Sequence, residues 1–321
     1  MRDPKIQVFY RPEMAASGEV EKSGCQSPEK APLLLAFLAR HGLADMFEIR
    51  SDFEPFERED LLVAHHENYV DAFLAGEPPL CESSRLPWTP ELARAERFQN
   101  ASLYYALRAA CLSPSTVMLS PTAGFHHASP SQGSGYCAFS GQVIASIRVY
   151  RELGLKGAWL DLDGHFGNSI EDSRDFAPEL ELAVPRGCNL NPNGRHGKYL
   201  RQLEAGLASL EDRILSGELG YVYFAHGADS HEWDENGFQL STDEWVTAAE
   251  IVYRWVAAVS TKLGRPLPLA LALFGGYRAD HYDSVLALHT ADLAACLNIL
   301  SGACIQFEPE VRRRPLLDAA T

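Results

Sequence analysis

Positive charge is scarce in this chain: 28 Lys and Arg stand against 43 Asp and Glu, a formal net charge of −15. Such a surface repels phosphate backbones and anionic headgroups, which argues against a nucleic-acid or membrane-surface binder. Paired cysteines are lacking too. The seven present (Cys25, Cys81, Cys111, Cys137, Cys188, Cys296, Cys304) are scattered, odd in number and never in a Cys-x-x-Cys pair, so neither a disulfide framework nor a thiolate zinc site is indicated. No run approaches the ~18 uninterrupted apolar residues of a membrane span. Met1 to Tyr10, with Arg2, Asp3 and Lys5, has no signal-peptide core, so a cytoplasmic home is expected. Repeats, low-complexity tracts and Gly/Ser linkers are also missing. A single domain is therefore expected over 1–321, with a polar tail from about Glu308 in which Arg312, Arg313 and Arg314 precede Pro315.

What is present is the composition of a globular protein, 46% hydrophobic and 22% charged. Short β-rich apolar runs alternate with longer helical patterns, the habit of an α/β fold with a mostly parallel sheet flanked by helices on both faces. The predicted strands are Gln7–Tyr10, Thr116–Ser120, Ala158–Leu162, Tyr221–Ala225 and Pro268–Phe274, continuous apolar runs suited to burial on both faces. Ser27-Pro28-Glu29 reads as an N-cap followed by proline at the first helical position, leading into Leu33–Arg40 and closing at Gly42. Pro90–Leu112, Gly141–Leu153, Lys198–Leu215 and Thr242–Leu263 are further helices by their apolar spacing.

In open α/β sheets ligands collect beyond the carboxyl ends of the strands. Four of the predicted strands end in chemically loaded segments: Ala123-Gly124-Phe125-His126-His127-Ala128, Asp161-Leu162-Asp163-Gly164-His165, His226-Gly227-Ala228-Asp229 and Gly275-Gly276-Tyr277. Residues two apart on an extended segment point the same way, so Asp163 and His165 can grip one ion together. Asp229 from another strand end would make a His plus two-carboxylate set with open positions, suited to catalytic Zn²⁺ or to Fe²⁺ or Co²⁺. Read alone, Asp-x-Asp-x-His is as compatible with a solvated loop. His126-His127 beside that set can handle a proton, one imidazole acting on water and a leaving amine while the other is oriented by Asp161. His65-His66 is the same doublet without acidic or glycine-rich neighbours, at the start of a helical pattern, and marks the structural alternative. Tyr277 behind two glycines can donate a hydrogen bond to a developing oxyanion.

In order and spacing these segments resemble the metal-dependent histone deacetylase and acetylpolyamine amidohydrolase superfamily, which shares its fold with arginase. Gly124-Phe125-His126-His127-Ala128 matches the family's Gly-x-His-His-Ala, and Ser134-Gly135-Tyr136-Cys137 its Ser-Gly-Phe-Cys. Asp161 to Ser169 matches its Asp-x-Asp-x-His-His-Gly segment, Gly227-Ala228-Asp229 its Gly-x-Asp, and Gly275-Gly276-Tyr277 its Gly-Gly-Tyr. Ser27-Pro28-Glu29 resembles its His-Pro-Glu entry and Leu61–Phe73 its Leu-x-x-Val-His-x-x-x-Tyr-Val helix, so the likeness runs from about Val8 to Leu300.

The resemblance implies Asp163, His165 and Asp229 as Zn²⁺ ligands, His127 as general base and acid, His126 as its partner backed by Asp161, and Tyr277 as the group polarising the acyl carbonyl. It places Phe125, Gly135, Tyr136, Gly275 and Gly276 along the substrate channel, with Tyr136 as one aromatic wall. Asp161, with Asp163 and His165 and nearby main-chain oxygens, would hold a structural K⁺. Three departures stand out. Phe166 and Ser169 replace a family histidine and glycine that bind no metal. Asn168 gives His127 a neutral partner that would not raise its pKa as a carboxylate would. Between Leu180 and Pro192 the family's long loop with the second aromatic wall shrinks to a few residues around Pro185-Arg186-Gly187-Cys188. The expected channel is wider and favours longer acyl groups, unless Pro78–Pro87 or Glu232–Gln239 folds in.

The expected function is hydrolytic removal of an acyl group from ε-acyl-lysine by metal-activated water. Acetylated polyamines are the alternative substrate, if Glu77, Glu232, Asp234 or Glu235 offers a mouth carboxylate to a second ammonium group. A non-catalytic acyl-lysine binder is the reading from another class. Intact ligands, histidines and tyrosine count against it, and the absent extra carboxylates at Gly167-Asn168 and Ser230-His231 count against a dinuclear site.

Overall fold

The computed structural model describes residues 5–16 and 26–314; Cys25 and Pro315 lie outside them. The five predicted strands form within two residues of the expected bounds: β1 (Ile6–Phe9), β3 (Met118–Ser120), β4 (Gly157–Asp161), β6 (Tyr221–Ala225) and β7 (Leu269–Ala272). Two more, β2 (Phe47–Arg50) and β5 (Asn189–Leu190), complete a seven-stranded sheet of order β2-β1-β3-β7-β6-β4-β5, parallel at every pairing. Both additions are edge strands. An edge strand needs no continuous apolar run, and β2 is short, charged and largely exposed.

The four central strands are buried along their whole length. Their register lines up Ser120, Ala272, Ala225 and Asp161 in one row across β3, β7, β6 and β4. All four therefore release their chains at the same level and on the same edge, which gathers the four loaded segments despite their separation in sequence.

Ten α-helices occur among the described residues: α1 (Lys30–Arg40), α2 (Arg58–Leu61), α3 (Glu67–Ala75), α4 (Pro90–Leu112), α5 (Gly141–Leu153), α6 (Ser169–Ser173), α7 (Leu180–Ala183), α8 (Gly197–Leu215), α9 (Thr242–Leu263) and α10 (Asp283–Ser301). Ser27–Glu29 forms a 3-10 turn feeding α1 rather than its first turn, so the proline stands before the helix. The Leu61–Phe73 helix is broken into α2 and α3 at His65-His66. There His65 turns inward, its Nδ1 3.0 Å from the Ser129 carbonyl and its Nε2 accepting the Ser140 N–H at 2.8 Å, and burial pushes it down to about 3. This doublet is structural.

Helix α10, absent from the sequence expectations because it is apolar on nearly every side, packs against α9 and α1. It is long and apolar enough to cross a membrane by length and composition, and 78% of its apolar window is buried inside the fold. Beyond it, the described residues 302–314 make defined contacts with the fold. Ile305 N–H donates to Asn298 Oδ1 at 2.8 Å, and the Phe307 ring lies 5.5 Å from that of His41. All six described cysteines are unpaired.

Glu96, on α4, is a buried acid whose Oε2 has no partner, and desolvation alone pushes it up to about 8. In the folded protein it keeps its proton to about 8, in the unfolded chain only to its ordinary 4.5. Folding therefore binds a proton across that window, and stability falls as pH rises through it, by about 1.4 kcal/mol for each tenfold difference in proton affinity between the two states. Glu96→Gln removes the titration. Thermal unfolding should show its advantage over the parent protein widening from pH 5 to pH 8; a constant difference contradicts this reading.

Candidate metal centre

Beyond β4 the chain turns through Leu162 to place Asp163 and His165; beyond β6, a 3-10 turn at Ala228–Ser230 places Asp229. The three offer ligand atoms that all lie within 4.8 Å of one another. His165 Nδ1 is 3.2 Å from Asp163 Oδ1 and 2.9 Å from Asp229 Oδ2. The other carboxylate oxygens are fixed by main chain: Gly275 N–H donates to Asp163 Oδ2 at 2.8 Å, and Gly164 N–H to Asp229 Oδ1 at 2.9 Å. A Cβ at Gly275 would stand 2.3 Å from Asp229 Cγ, so only glycine brings that amide close enough.

Both carboxylates are buried while the His165 side chain is 38% exposed, which leaves one open side. Hydrogen bonds to Asp163 and Asp229 push His165 up to about 10. Burial raises Asp229 to about 7, helped by the nearby Asp163 charge. For Asp163, burial is outweighed by His126 and His165, which draw it below the usual carboxylate range. Two buried carboxylates thus hold positive charge at one point, and a divalent cation can replace the proton there. An oxygen-rich set with one imidazole fits Zn²⁺, Fe²⁺ or Co²⁺.

Next to this cluster the two histidines are made different. His126 Nδ1 is 2.8 Å from Asp161 Oδ2 and its Nε2 3.5 Å from Asp163 Oδ1. Burial works against charge on His126, but Asp161, Asp163 and Asp229 outweigh it and push the ring up to about 9. His127 is pushed down to about 4, first by burial and then by its charged neighbour, with ring centroids 4.0 Å apart. Its Nδ1 faces Asn168 Oδ1 at 3.0 Å, and Asn168 Nδ2 donates to Asp172 at 2.5 Å. That orientation obliges His127 to donate from Nδ1, which leaves Nε2 as the basic nitrogen. At neutral pH one ring is charged and the other is not.

Asp161 is itself a buried carboxylate; its second oxygen accepts only the long 3.3 Å Asp163 N–H. The hydroxyls of Tyr199 and Tyr223, which both feel its charge, are buried without partners. A buried acid with one weakly bonded oxygen suits a monovalent cation.

The Tyr277 ring lies 6.4 Å from His165 and 5.5 Å from Tyr136, so the two tyrosines share one side of the centre. Both pack on a small apolar cluster of Ala16, Leu86, Leu92 and Ala95. Leu86 comes from Pro78–Pro87, one of the two segments able to rebuild the wall. The other, Glu232–Gln239, also folds in: Gln239 Nε2 donates to the Gly164 carbonyl at 2.6 Å. The shortened segment forms α7 and β5, and Asn191 Oδ1 accepts the Gly167 N–H at 2.8 Å. Phe166 and Phe238, 61% and 55% exposed, stand on the loops that carry the ligands.

Several expectations need correcting. Phe125 does not line the channel: it is 0% exposed, packed beneath the histidines with its ring 6.2 Å from Phe274. Gly276 faces α10, where a Cβ would meet Val285 at 2.7 Å, and Gly275 packs against Asp229 while its N–H donates to Asp163. Gly135 backs His127, at φ +50° with no room for a side chain. Asp234 is not a free mouth carboxylate, because it is buried and accepts the Tyr277 N–H at 2.8 Å; Glu235 accepts the Ala279 N–H at 2.9 Å. Sequence reasoning missed Lys30, whose buried Nζ donates to the Phe274 and Gly275 carbonyls. Its sole signal was a lysine directly after Ser27-Pro28-Glu29 at the start of an apolar helix.

Asp229→Ala should lower bound divalent metal and activity together. A full equivalent of metal by elemental analysis in that variant would remove Asp229 from the ligand set.

Residues 25–180, which include both histidines and the Asp161–His165 segment, match the model of the histone deacetylase domain family. The chain is 26% identical over 253 residues to an uncharacterized protein of Picosynechococcus sp., covering 71% of this chain and 79% of that one. To histone deacetylase 2 of Arabidopsis thaliana it is 25% identical over 268 residues, 72% of this chain and 64% of the relative, so it spans under two thirds of that protein. In fold it superposes on the crystal structure of the HDA15 HD domain with a TM-score of 0.68 at 15% identity, covering 95% of this chain and 90% of that domain. By motif order, by the domain match over residues 25–180 and by fold, the chain is similar to the histone deacetylase-like arginase/deacetylase superfamily.

Proposed function

We propose that the protein is a metal-dependent amidohydrolase that removes an acyl group from the ε-amine of lysine in a peptide or protein. The observation that carries this reading is the division of labour around His165: neutral His127 lies 5.9 Å from it and the Tyr277 ring 6.4 Å. A proton acceptor and a hydrogen-bond donor flanking a candidate Lewis-acid site are the parts amide hydrolysis needs. A divalent cation held by Asp163, His165 and Asp229, Zn²⁺ first among those its ligands fit, supplies Lewis acidity to the acyl carbonyl and acidifies water.

The remaining chemistry belongs to the chain. His127 Nε2 takes a proton from the attacking water and returns it to the departing amine, while its Nδ1–H stays on Asn168. His126 stays protonated against Asp161 and adds fixed positive charge where the carbonyl oxygen becomes negative. Tyr277 donates its phenol proton in a hydrogen bond to the same oxygen, and Tyr136 covers the aliphatic stem of the substrate. Asp161, with Asp163, His165 and nearby main-chain oxygens, would hold K⁺.

Acetylated polyamines are the weaker reading. Of the four carboxylates that could meet a second ammonium group, Asp234 and Glu235 are engaged by the backbone of the Tyr277 loop. A turnover panel of metal-loaded protein on acetyl-, propionyl- and longer acyl-lysine peptides beside acetylated polyamines tests the assignment. Peptide turnover is expected, and no turnover on any member leaves the binding-only reading. Tyr277→Phe should lower kcat by roughly 10²-fold with metal content unchanged. Near-normal kcat would remove the phenol from the mechanism.

A further inference from the structure

The loop after β7 is tied down on three sides. Lys30 holds the carbonyls of Phe274 and Gly275 from below, and Phe274 sits at φ +54°, a conformation a phenylalanine adopts only under constraint. Asp234 and Glu235, from the loop that carries Asp229, hold the Tyr277 and Ala279 amides. The third tie is Arg278, next to Tyr277 in the chain. Its side chain is 2% exposed; Nε and Nη2 grip both oxygens of Asp280 at 2.7 and 2.9 Å, and Nη1 donates to the Arg312 carbonyl at 2.7 Å. The Arg312 N–H in turn donates to Ser284 Oγ, in the first turn of α10, at 2.9 Å.

A buried guanidinium is stable only when its charge and its forked donors are matched. Here the match requires a chain segment that arrives after α10 and serves no other part of the site. Asp234 and Glu235 add negative charge around the guanidinium, and His231 also faces it. The fork fixes the direction of the Arg278 side chain, and with it the peptide that joins it to Tyr277.

We propose that Arg278 is a positioning residue. By bridging Asp280 to the Arg312 carbonyl, it makes the segment 302–314 a strap that sets where the Tyr277 phenol stands above the metal ligands. The catalytic consequence rests on the role given to Tyr277 under the proposed function; the structural consequence does not.

The test uses the full-length, metal-loaded protein with 3-fluorotyrosine placed at position 277 and followed by fluorine NMR. The parent protein should give one narrow resonance. Arg278→Met should broaden or split it while leaving the metal equivalent unchanged, and should lower kcat by about 10-fold or more with KM within about twofold, since small misplacements of a reacting group cost rate rather than binding. Arg278→Lys, which keeps the charge and one donor, should recover part of both signals. Should Arg278→Met fail to fold, Asp280→Asn and Ser284→Ala loosen the same bridge from its exposed end and from α10, and should broaden the resonance in the same direction. An unchanged narrow resonance in folded Arg278→Met, or in both of the other variants, overturns the proposal. If the parent protein turns over no acyl-lysine substrate, that failure belongs to the functional reading, and the fluorine line shape still decides whether the strap exists.

Discussion

Two carboxylates, Asp163 and Asp229, are held out of water around a single imidazole nitrogen, and the surrounding structure exists to make that tolerable. Like charges about 4 Å apart repel by about 4 kcal/mol even at an effective dielectric of 20, and desolvation adds several more for each. The repulsion is offset by directed N–H groups from Gly164, Gly275 and His165 itself, by the protonated His126, and by positive charge at the common point. This explains why main chain from the ends of β4 and β7 must converge there. It also explains the lack of side chains at Gly275 and Gly227, where a Cβ would fall 2.3 Å from an Asp229 atom.

The same field separates the histidines. Identical in sequence and adjacent in space, they differ because one faces Asp161 and the other an amide that is itself held by Asp172. Replacing the carboxylate partner of His127 by Asn168 keeps its orientation without raising its basicity, so the neighbouring imidazolium dominates. Opposite protonation at one pH is therefore a property of the second ring of contacts, not of the His-His motif, as the buried His65 of the other doublet shows.

Legibility followed the physics of each signal. Central strands were readable because burial on both faces demands an uninterrupted apolar run; β2 and β5 were not, because an edge makes no such demand. The convergence of Asp163, His165, Asp229, His126-His127 and Tyr277 was readable because they follow those runs. Phe125 was misplaced because a motif gives order in the chain and not the side of the backbone from which a ring leaves. Asp234 and Glu235 read as candidate mouth carboxylates, and Lys30 drew no reading at all, because their partners are backbone groups, about which side-chain patterns carry no information. The break at His65-His66 was invisible for the same reason: the inward turn is fixed by the Ser129 carbonyl and the Ser140 amide.

The central claim is that Asp163, His165 and Asp229 share one divalent ion. X-ray absorption at the zinc edge of the zinc-loaded protein addresses it directly. The account predicts a shell of nitrogen and oxygen alone with the multiple scattering of one imidazole. A sulfur scatterer, a second imidazole or a neighbouring metal in that spectrum would contradict it.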